Sequence, residues 1–341
     1  HDLSSSSVIR PNGCKVILRP AFQETDMKKI VNRIIQCILT MFIVSIICFA
    51  LVKAAPGDPV MTYVEPNMSE EYIANLRESL GLTKPMWEQY ALWLGRILQG
   101  NFGNSLMNSR PVLTQILERL PATMILMGTS MVLGFVIALF LGLYSGKNKN
   151  GILDKIVSFF CFVGISIPTF WFGIMLIYLL SVYFHLLPSI GMHSEGDGSL
   201  GDLIIHLIMP CAVLTFSNAS QYIRYLRSST ITEMSSDYVA VQTAYGMKES
   251  GILFKHVLKN AMLPMITVLG MSLQTLVSGA IITEQVFAWP GIGQLAVTAV
   301  SQFDYPLIMG ITMFTALLVV AGNLLADILY AVFDPRIRKA T

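Results

Sequence analysis

What most constrains this chain is the recurrence of apolar stretches about 20 residues long, the length that crosses a hydrocarbon core of roughly 30 Å. They fall at about 30–52, 122–145, 159–183, 203–225, 263–282 and 306–330, and apart from Asp327 their interiors carry almost no ionised side chains. A bilayer is crossed only by elements that satisfy their own backbone hydrogen bonds, and runs of this length do so as helices. The expected fold is therefore an all-α integral membrane protein with six transmembrane helices. Composition agrees: 54% of residues are hydrophobic and 13% are charged, about half the charged share of a soluble domain. With 23 basic and 21 acidic residues the net charge is +2, so no bulk basic surface marks nucleic acid as a partner.

Lysine and arginine in the short loops set the orientation. With the N-terminus inside, the inner segments hold Lys28, Lys29, Arg33, Lys147, Lys149, Lys155, Arg224, Arg227, Lys248, Lys255, Lys259, Arg336, Arg338 and Lys339. The two short outer loops, 184–202 and 283–305, hold neither Lys nor Arg and carry Glu195, Asp197, Asp202, Glu284 and Asp304. The basic residues of the long outer loop fall in a segment long enough to escape the rule. Both termini are expected to be cytoplasmic, in a multi-pass protein of a bacterial inner membrane.

Five segments follow. Residues 1–26 are polar, with serines at 4–7 and no apolar core of a signal peptide, and read as an upstream extension or a cloning scar before Met27. Residues 27–53 form the first span, 54–121 an extracytoplasmic loop domain, 122–335 a core of five spans that includes an inner segment at 227–262, and 336–341 a cytoplasmic tail. In the loop domain, Ser69 with Glu70 and Glu71 can start a short helix that Gly81 stops. Pro85 can start a second, with Tyr90, Trp93 and Ile97 along one face. This domain can serve as a lid on the outer membrane surface or as a dock for an external partner.

Enzymatic chemistry finds little support. Gly142 to Asn148 lacks the glycine and the Ser or Thr of a phosphate loop. No GxSxG or HExxH occurs, and Cys37, Cys48, Cys161 and Cys211 lie in apolar stretches without ligand spacing, reading as small hydrophobes. His185, His193 and His206 flank the second outer loop with Glu195 and Asp197, at a spacing that matches no ligand template. No catalytic or metal site is expected on this chain.

The unusual feature is the inner segment at 227–262. A polar tether is expected there, yet Tyr238, Val241, Gln242 and Tyr245 share a face of one helix that Gly246 can end, and Leu253, Val257 and Leu258 mark a second amphipathic helix running into Pro264. Such apolar faces need a cover, either a groove on a partner protein or the membrane surface.

This segment resembles the EAA loop of the membrane subunits of binding-protein-dependent ABC importers, with Gly246 at the family's glycine. The other motifs are Ala54-Ala55-Pro56-Gly57-Asp58-Pro59, Gly81-Leu82, Gly100-Asn101-Phe102-Gly103 and Ile167-Pro168-Thr169-Phe170-Trp171. They continue with Glu284-Gln285-Val286-Phe287-Ala288-Trp289-Pro290-Gly291-Ile292-Gly293-Gln294-Leu295, Asp304-Tyr305-Pro306 and Asp334-Pro335-Arg336-Ile337-Arg338. Together they are similar to the B-type subunits of the peptide/nickel permease family, from about Met27 to the C-terminus. Two departures stand out: Ala240-Val241-Gln242 replaces the Glu-Ala-Ala that names the loop, and Lys259 holds the later proline position.

The resemblance implies a type I ABC importer permease fold (MetI-like) with an EAA-type coupling helix. It also implies a heterodimer with a homologous C-type permease, two cytosolic ATPase subunits that carry the ATP and magnesium, an external solute-binding protein, and surrounding membrane lipid. Asp237, Tyr238, Val241, Gln242, Tyr245, Gly246 and Met247 would couple to the ATPase, with docking resting on shape and on the two tyrosines. Pathway lining is expected from Ser217, Asn218, Ser220 and Gln221, from Ser272, Gln274 and Ser278, and from Asn323, with helix-to-helix hydrogen bonding as the alternative role. Glu284, Trp289, Pro290 and Gly291 are expected at the outer mouth, as a gate or as interface residues. Short peptides are the favoured cargo and nickel or a metal chelate the alternative. An ion-coupled transporter would need intramembrane carboxylates, for which Asp327 alone qualifies.

Overall fold

The computed structural model describes residues 7–9, 15–17, 24–54, 69, 71, 78, 83–278 and 280–333. Side-chain surroundings are described for these except 7–9, 15–17, 24–32, 267, 271, 273–278 and 325–333. The motifs at 55–59, 81–82 and 334–338, the first short helix of the loop domain, Cys14, and the side chains of Gln274, Ser278 and Asp327 lie outside the described residues.

Two three-residue strands, β1 (Ser7–Ile9) and β2 (Lys15–Ile17), pair antiparallel ahead of α1 (Glu24–Ala54). Then come α2 (Met86–Leu98), α3 (Val112–Lys147), α4 (Ile152–Ser166), α5 (Thr169–Leu176) and α6 (Leu200–Met234). The chain continues through α7 (Asp237–Ala244), α8 (Glu249–Ile252), α9 (Leu258–Ser278), α10 (Ile281–Val286), α11 (Ile292–Ser301) and α12 (Tyr305–Phe333). Short π-helical turns, Ile177–Tyr183 and Leu253–Val257, extend α5 and join α8 to α9. Five described helices are long and apolar enough to span a membrane, or six if a bent pair is one span.

The bent pair covers the span expected at 159–183 and adds a break inside it. The helix stops at Ser166, Ile167 is extended (φ −77°, ψ 125°), and a new helix starts after Pro168 at 101° to the first. The cause is local: the proline ring drives the residue before it out of the helical region and supplies no N–H to continue the ladder. A second difference is at α3, which starts at Val112 behind Pro111 and runs through Pro121, well before the apolar run begins.

The centre of the molecule is the packing of α3 on α6. Gly134, Ala138, Gly142 and Gly146 recur every four residues on α3 and are all buried. A Cβ at Gly142 would lie 2.9 Å from Leu226 Cβ, and one at Gly146 would lie 2.6 Å from Thr230 Cβ and 2.9 Å from the Arg227 carbonyl. Lipid gives helices no hydrophobic reason to associate, so close approach along a stripe of small residues supplies the contact instead. Around this seam Ala138, Val157, Cys161, Ala219, Tyr222, Ile223 and Met265 draw α4 and α9 against α6. The amphipathic α2 leans on the first span: Tyr90 Oη and Ser45 Oγ are 2.7 Å apart, and Trp93 stacks obliquely on Phe49.

Candidate functional site

The segment at 237–247 is built as a short helix with a tight stop. Ser236 precedes it with its hydroxyl donating to the Glu233 carbonyl, 2.6 Å, and Asp237 sits in the first turn, where a negative charge opposes the helix dipole. At the other end the Met247 N–H reaches the Gln242 carbonyl (3.2 Å) and the Gly246 N–H reaches Thr243 (2.9 Å), with Gly246 at φ 77°. This is a Schellman stop, and its left-handed residue favours glycine.

One side of this element is clamped. Val239, with Ile252, Leu253, Val257 and Ala261, packs on Leu143 at the end of α3 and on Leu226 of α6. The Tyr238 hydroxyl donates to Glu233 Oε2 (2.8 Å), Asn260 Nδ2 donates to the same oxygen (3.1 Å), and Lys147 pairs with Glu249 at 3.0 Å. Burial, and then the neighbouring Glu233 carboxylate, push the Tyr238 phenol above its ordinary value.

The other side is bare. Tyr245 is 85% exposed, Val241 53% and Met247 38%. Asp237 is also exposed, and the Gln242 side-chain oxygen is buried without a hydrogen-bond partner among the described residues. The structure thus divides residues expected on one face: Tyr238 turns inward as part of the clamp, while Val241 and Tyr245 project.

Of the four residues expected at an outer mouth, Glu284, Trp289 and Gly291 are enclosed. Glu284 and Trp289 are fully buried. Thr123 Oγ1 donates to Glu284 Oε1 at 2.9 Å, the Gln294 N–H donates to Oε2 at 3.1 Å, and Thr123 Oγ1 in turn accepts the Ile292 N–H at 2.8 Å. The carboxylate and a threonine from α3 therefore satisfy first-turn N–H groups of α11 that no intrahelical partner reaches. Trp289 Nε1 donates to the Ala122 carbonyl at 2.8 Å, fixing the same corner. A Cβ at Gly291 would come within 2.3 Å of the Glu284 carboxylate, which is why the motif carries glycine there. Pro290, half-buried, joins the two. Burial raises the Glu284 carboxyl above the ordinary carboxylate value although every hydrogen bond to it pulls the other way. Neither Glu284 nor Trp289 presents a side chain to an opening of this chain; they knot the 281–295 segment onto α3.

Of the residues expected to line a pathway, Gln221 is exposed and Ser217 half-exposed on α6. Asn218 stands at the α3 seam, where a Cβ on Gly134 would touch it at 3.2 Å. Ser220 and Ser272 hydroxyls donate to their own helices, to Phe216 (2.7 Å) and Val268 (2.9 Å). Asn323 is half-buried on α12. At the start of α6, Asp202 accepts from the Ser194 N–H (2.9 Å) and hydroxyl (2.8 Å) and lies 3.0 Å from His193 Nδ1. Among the described residues no group of three or more His, Cys, Asp and Glu is arranged to hold a metal ion.

Three features escaped the sequence reading. The small-residue stripe of α3 was legible as a four-residue repeat. The pair of Asp154 with Arg227, whose Nη2 donates to Oδ2 at 2.7 Å, joins residues far apart in the chain and left no local signal. Asp304 likewise takes the Ser105 hydroxyl and the Leu106 N–H (3.1 Å), tying the end of the loop domain to α12.

Residues 134–339 match the family described as binding-protein-dependent transport system inner membrane component, and residues 27–127 match its N-terminal domain. The chain belongs to this family. Among its relatives is the oligopeptide transport system permease protein AppB of Bacillus subtilis, 40% identical over 90% of this chain and 98% of the relative. Another is the dipeptide transport system permease protein DppB of Escherichia coli K12, 33% identical over 91% of this chain and 98% of the relative. A solved structure of the MetNI methionine ABC transporter in inward-facing conformations is similar in fold, with a TM-score of 0.52 and 20% identity over 65% of this chain and 97% of that one. This inner membrane component is thus a multi-pass, MetI-like permease and not itself an enzyme. As in ABC importers generally, ATP hydrolysis and solute capture reside on other subunits.

Proposed function

We propose that this permease component forms one half of the translocation pathway of an ATP-driven importer of short peptides, paired with a homologous C-type subunit. Both of its termini face the cytoplasm, and α7 seats in a groove of a cytosolic ATPase. The observation that carries the reading is the construction of 237–247: Tyr245 and Val241 project bare, while Val239 packs on the ends of α3 and α6 and Tyr238 is held through Glu233 alongside Asn260. A rigid displacement of α7 would therefore move the helices it is clamped to, as interface-coupled transitions require. The oligopeptide and dipeptide permeases among the relatives support peptide cargo, and the nickel alternative gains no support from them.

Tyr245→Glu, which places a charge on the projecting face, is expected to abolish capture of the cognate ATPase subunits while the permease still inserts and elutes as a folded protein. An intact complex would overturn the docking assignment. In proteoliposomes, dipeptide uptake that persists without the ATPase subunits would overturn the importer reading itself.

A further inference from the structure

Two arginines stand one turn apart near the end of α6, and they are not equivalent. Arg227 is closed off: its guanidinium makes a bidentate pair with Asp154, which is 2% exposed and also accepts the Asn150 N–H at 2.8 Å. Arg224, nearer the membrane interior, is exposed and has no acidic partner among the described residues. An unpaired guanidinium on a spanning helix is costly unless an anion or water meets it. Arg224, Arg227 and Ser158, the last hydrogen-bonded to Asp154, rim a crevice of about 180 Å³ between α4 and α6, whose floor is Val157, Cys161, Phe162, Ile165 and Ile223.

Three of those floor residues, Val157, Cys161 and Ile223, also line a far larger cleft of about 1510 Å³ between α3, α4 and α6, which the 101° turn after Ser166 leaves open. That volume corresponds to roughly 50 water-sized groups. Its hydroxyl hydrogens are already committed, leaving no donor for a peptide carbonyl: Thr129 donates to Ile125 (2.6 Å), Thr215 to Ser130 (3.4 Å) and Ser220 to Phe216 (2.7 Å). A peptide backbone placed there would leave its polar groups unsatisfied, at a cost that hydrocarbon does not incur. The occupant must therefore be a long apolar chain with an anion at one end. Arginine is the side chain suited to phosphate, and basic pockets between membrane helices take lipid head groups.

We infer that the crevice between α4 and α6 is a binding site for an anionic phospholipid. The phosphate head group sits on Arg224, with the exposed Lys155 of α4 at the same end, and an acyl chain lies along Val157, Phe162 and Ile223. This depends on the chain crossing a membrane and not on its cargo or its ATPase, so failure of the peptide-importer reading leaves it standing.

The test is native mass spectrometry of the full-length chain in mild detergent, titrated with phosphatidylglycerol or phosphatidylcholine. One phosphatidylglycerol per chain should bind about fivefold or more tightly than phosphatidylcholine, the discrimination expected of a single interfacial arginine. Arg224→Gln should reduce phosphatidylglycerol to the phosphatidylcholine level, and Arg224→Lys should give an intermediate ratio, which keeps the test informative if the glutamine variant does not fold. Phe162→Trp, which fills the crevice and keeps the charge, should weaken both lipids, while Arg96→Gln on α2 should change neither. Unchanged phosphatidylglycerol retention in Arg224→Gln would overturn the site. Full displacement by millimolar inorganic phosphate would show a head-group contact without a seated chain, and displacement by a short peptide would place the crevice in the solute pathway; either result also overturns it.

Discussion

Removing the acceptor oxygens of Glu284 should destabilise the fold, whereas removing its charge should not. In Glu284→Ala, the Thr123 hydroxyl and the N–H groups that this carboxylate accepts are left buried and unpaired. At about 1–3 kcal/mol for each buried donor left unpaired, the Thr123 and Gln294 donors together put the loss at about 2–6 kcal/mol. Glu284→Gln can keep its carbonyl oxygen toward the α11 N–H groups and turn its amide toward Thr123 Oγ1, so its cost at neutral pH should stay within about 1 kcal/mol.

The ionisation of Glu284 gives a second handle. Because burial holds the folded carboxyl above its unfolded value, the folded chain binds more protons between the two, and wild-type stability contributed by this group falls as pH rises through that window. The window opens near the unfolded glutamate value of about 4.3 and closes at the higher folded value. Thermal unfolding of the detergent-solubilised chain across that range, wild type against Glu284→Gln, should show the glutamine variant gaining relative stability with rising pH. A flat or reversed difference would refute the burial argument, and a glutamine variant as damaged as the alanine variant would show that the charge itself is required.

Other outcomes follow from the helix seams. Gly146→Ala should lower the thermal midpoint by an amount equivalent to about 1–3 kcal/mol, because its Cβ meets the Arg227 carbonyl at 2.9 Å as well as Thr230. Gly128→Ala on the same helix meets nothing within 4 Å and should be neutral or stabilising by up to about 1 kcal/mol through helix propensity. Arg227→Ala should cost about 2–3 kcal/mol, between an exposed pair and a fully buried one, by leaving the buried Asp154 carboxylate without its cation and held by the Asn150 N–H. Adding Asp154→Asn to Arg227→Ala should recover part of that loss in the same unfolding assay.

How far the sequence could be read depends on whether a signal was local. The placement of the apolar helices along the chain, the Gly246 stop and the shared face of Val241 and Tyr245 were legible because they arise from residues within a few turns of one another. The bend at Ile167 was also local, since Pro168 was visible, but the length of the surrounding apolar run outweighed it. What periodicity could not assign was which neighbour each polar side chain meets. Tyr238 lies beside Val241 on any helical wheel, yet Glu233 and Asn260, brought in from α6 and α9, turn it into the clamp. Glu284 illustrates the same limit: an acid in a loop between spans reads as a mouth residue until α3 places Thr123 against it and α11 offers its free N–H groups. In a chain with so few charges, the buried ones fasten segments together, as Glu284, Asp304 and Asp154 do. On α6 the charge without an acidic partner among the described residues is Arg224, the one assigned above to a lipid head group.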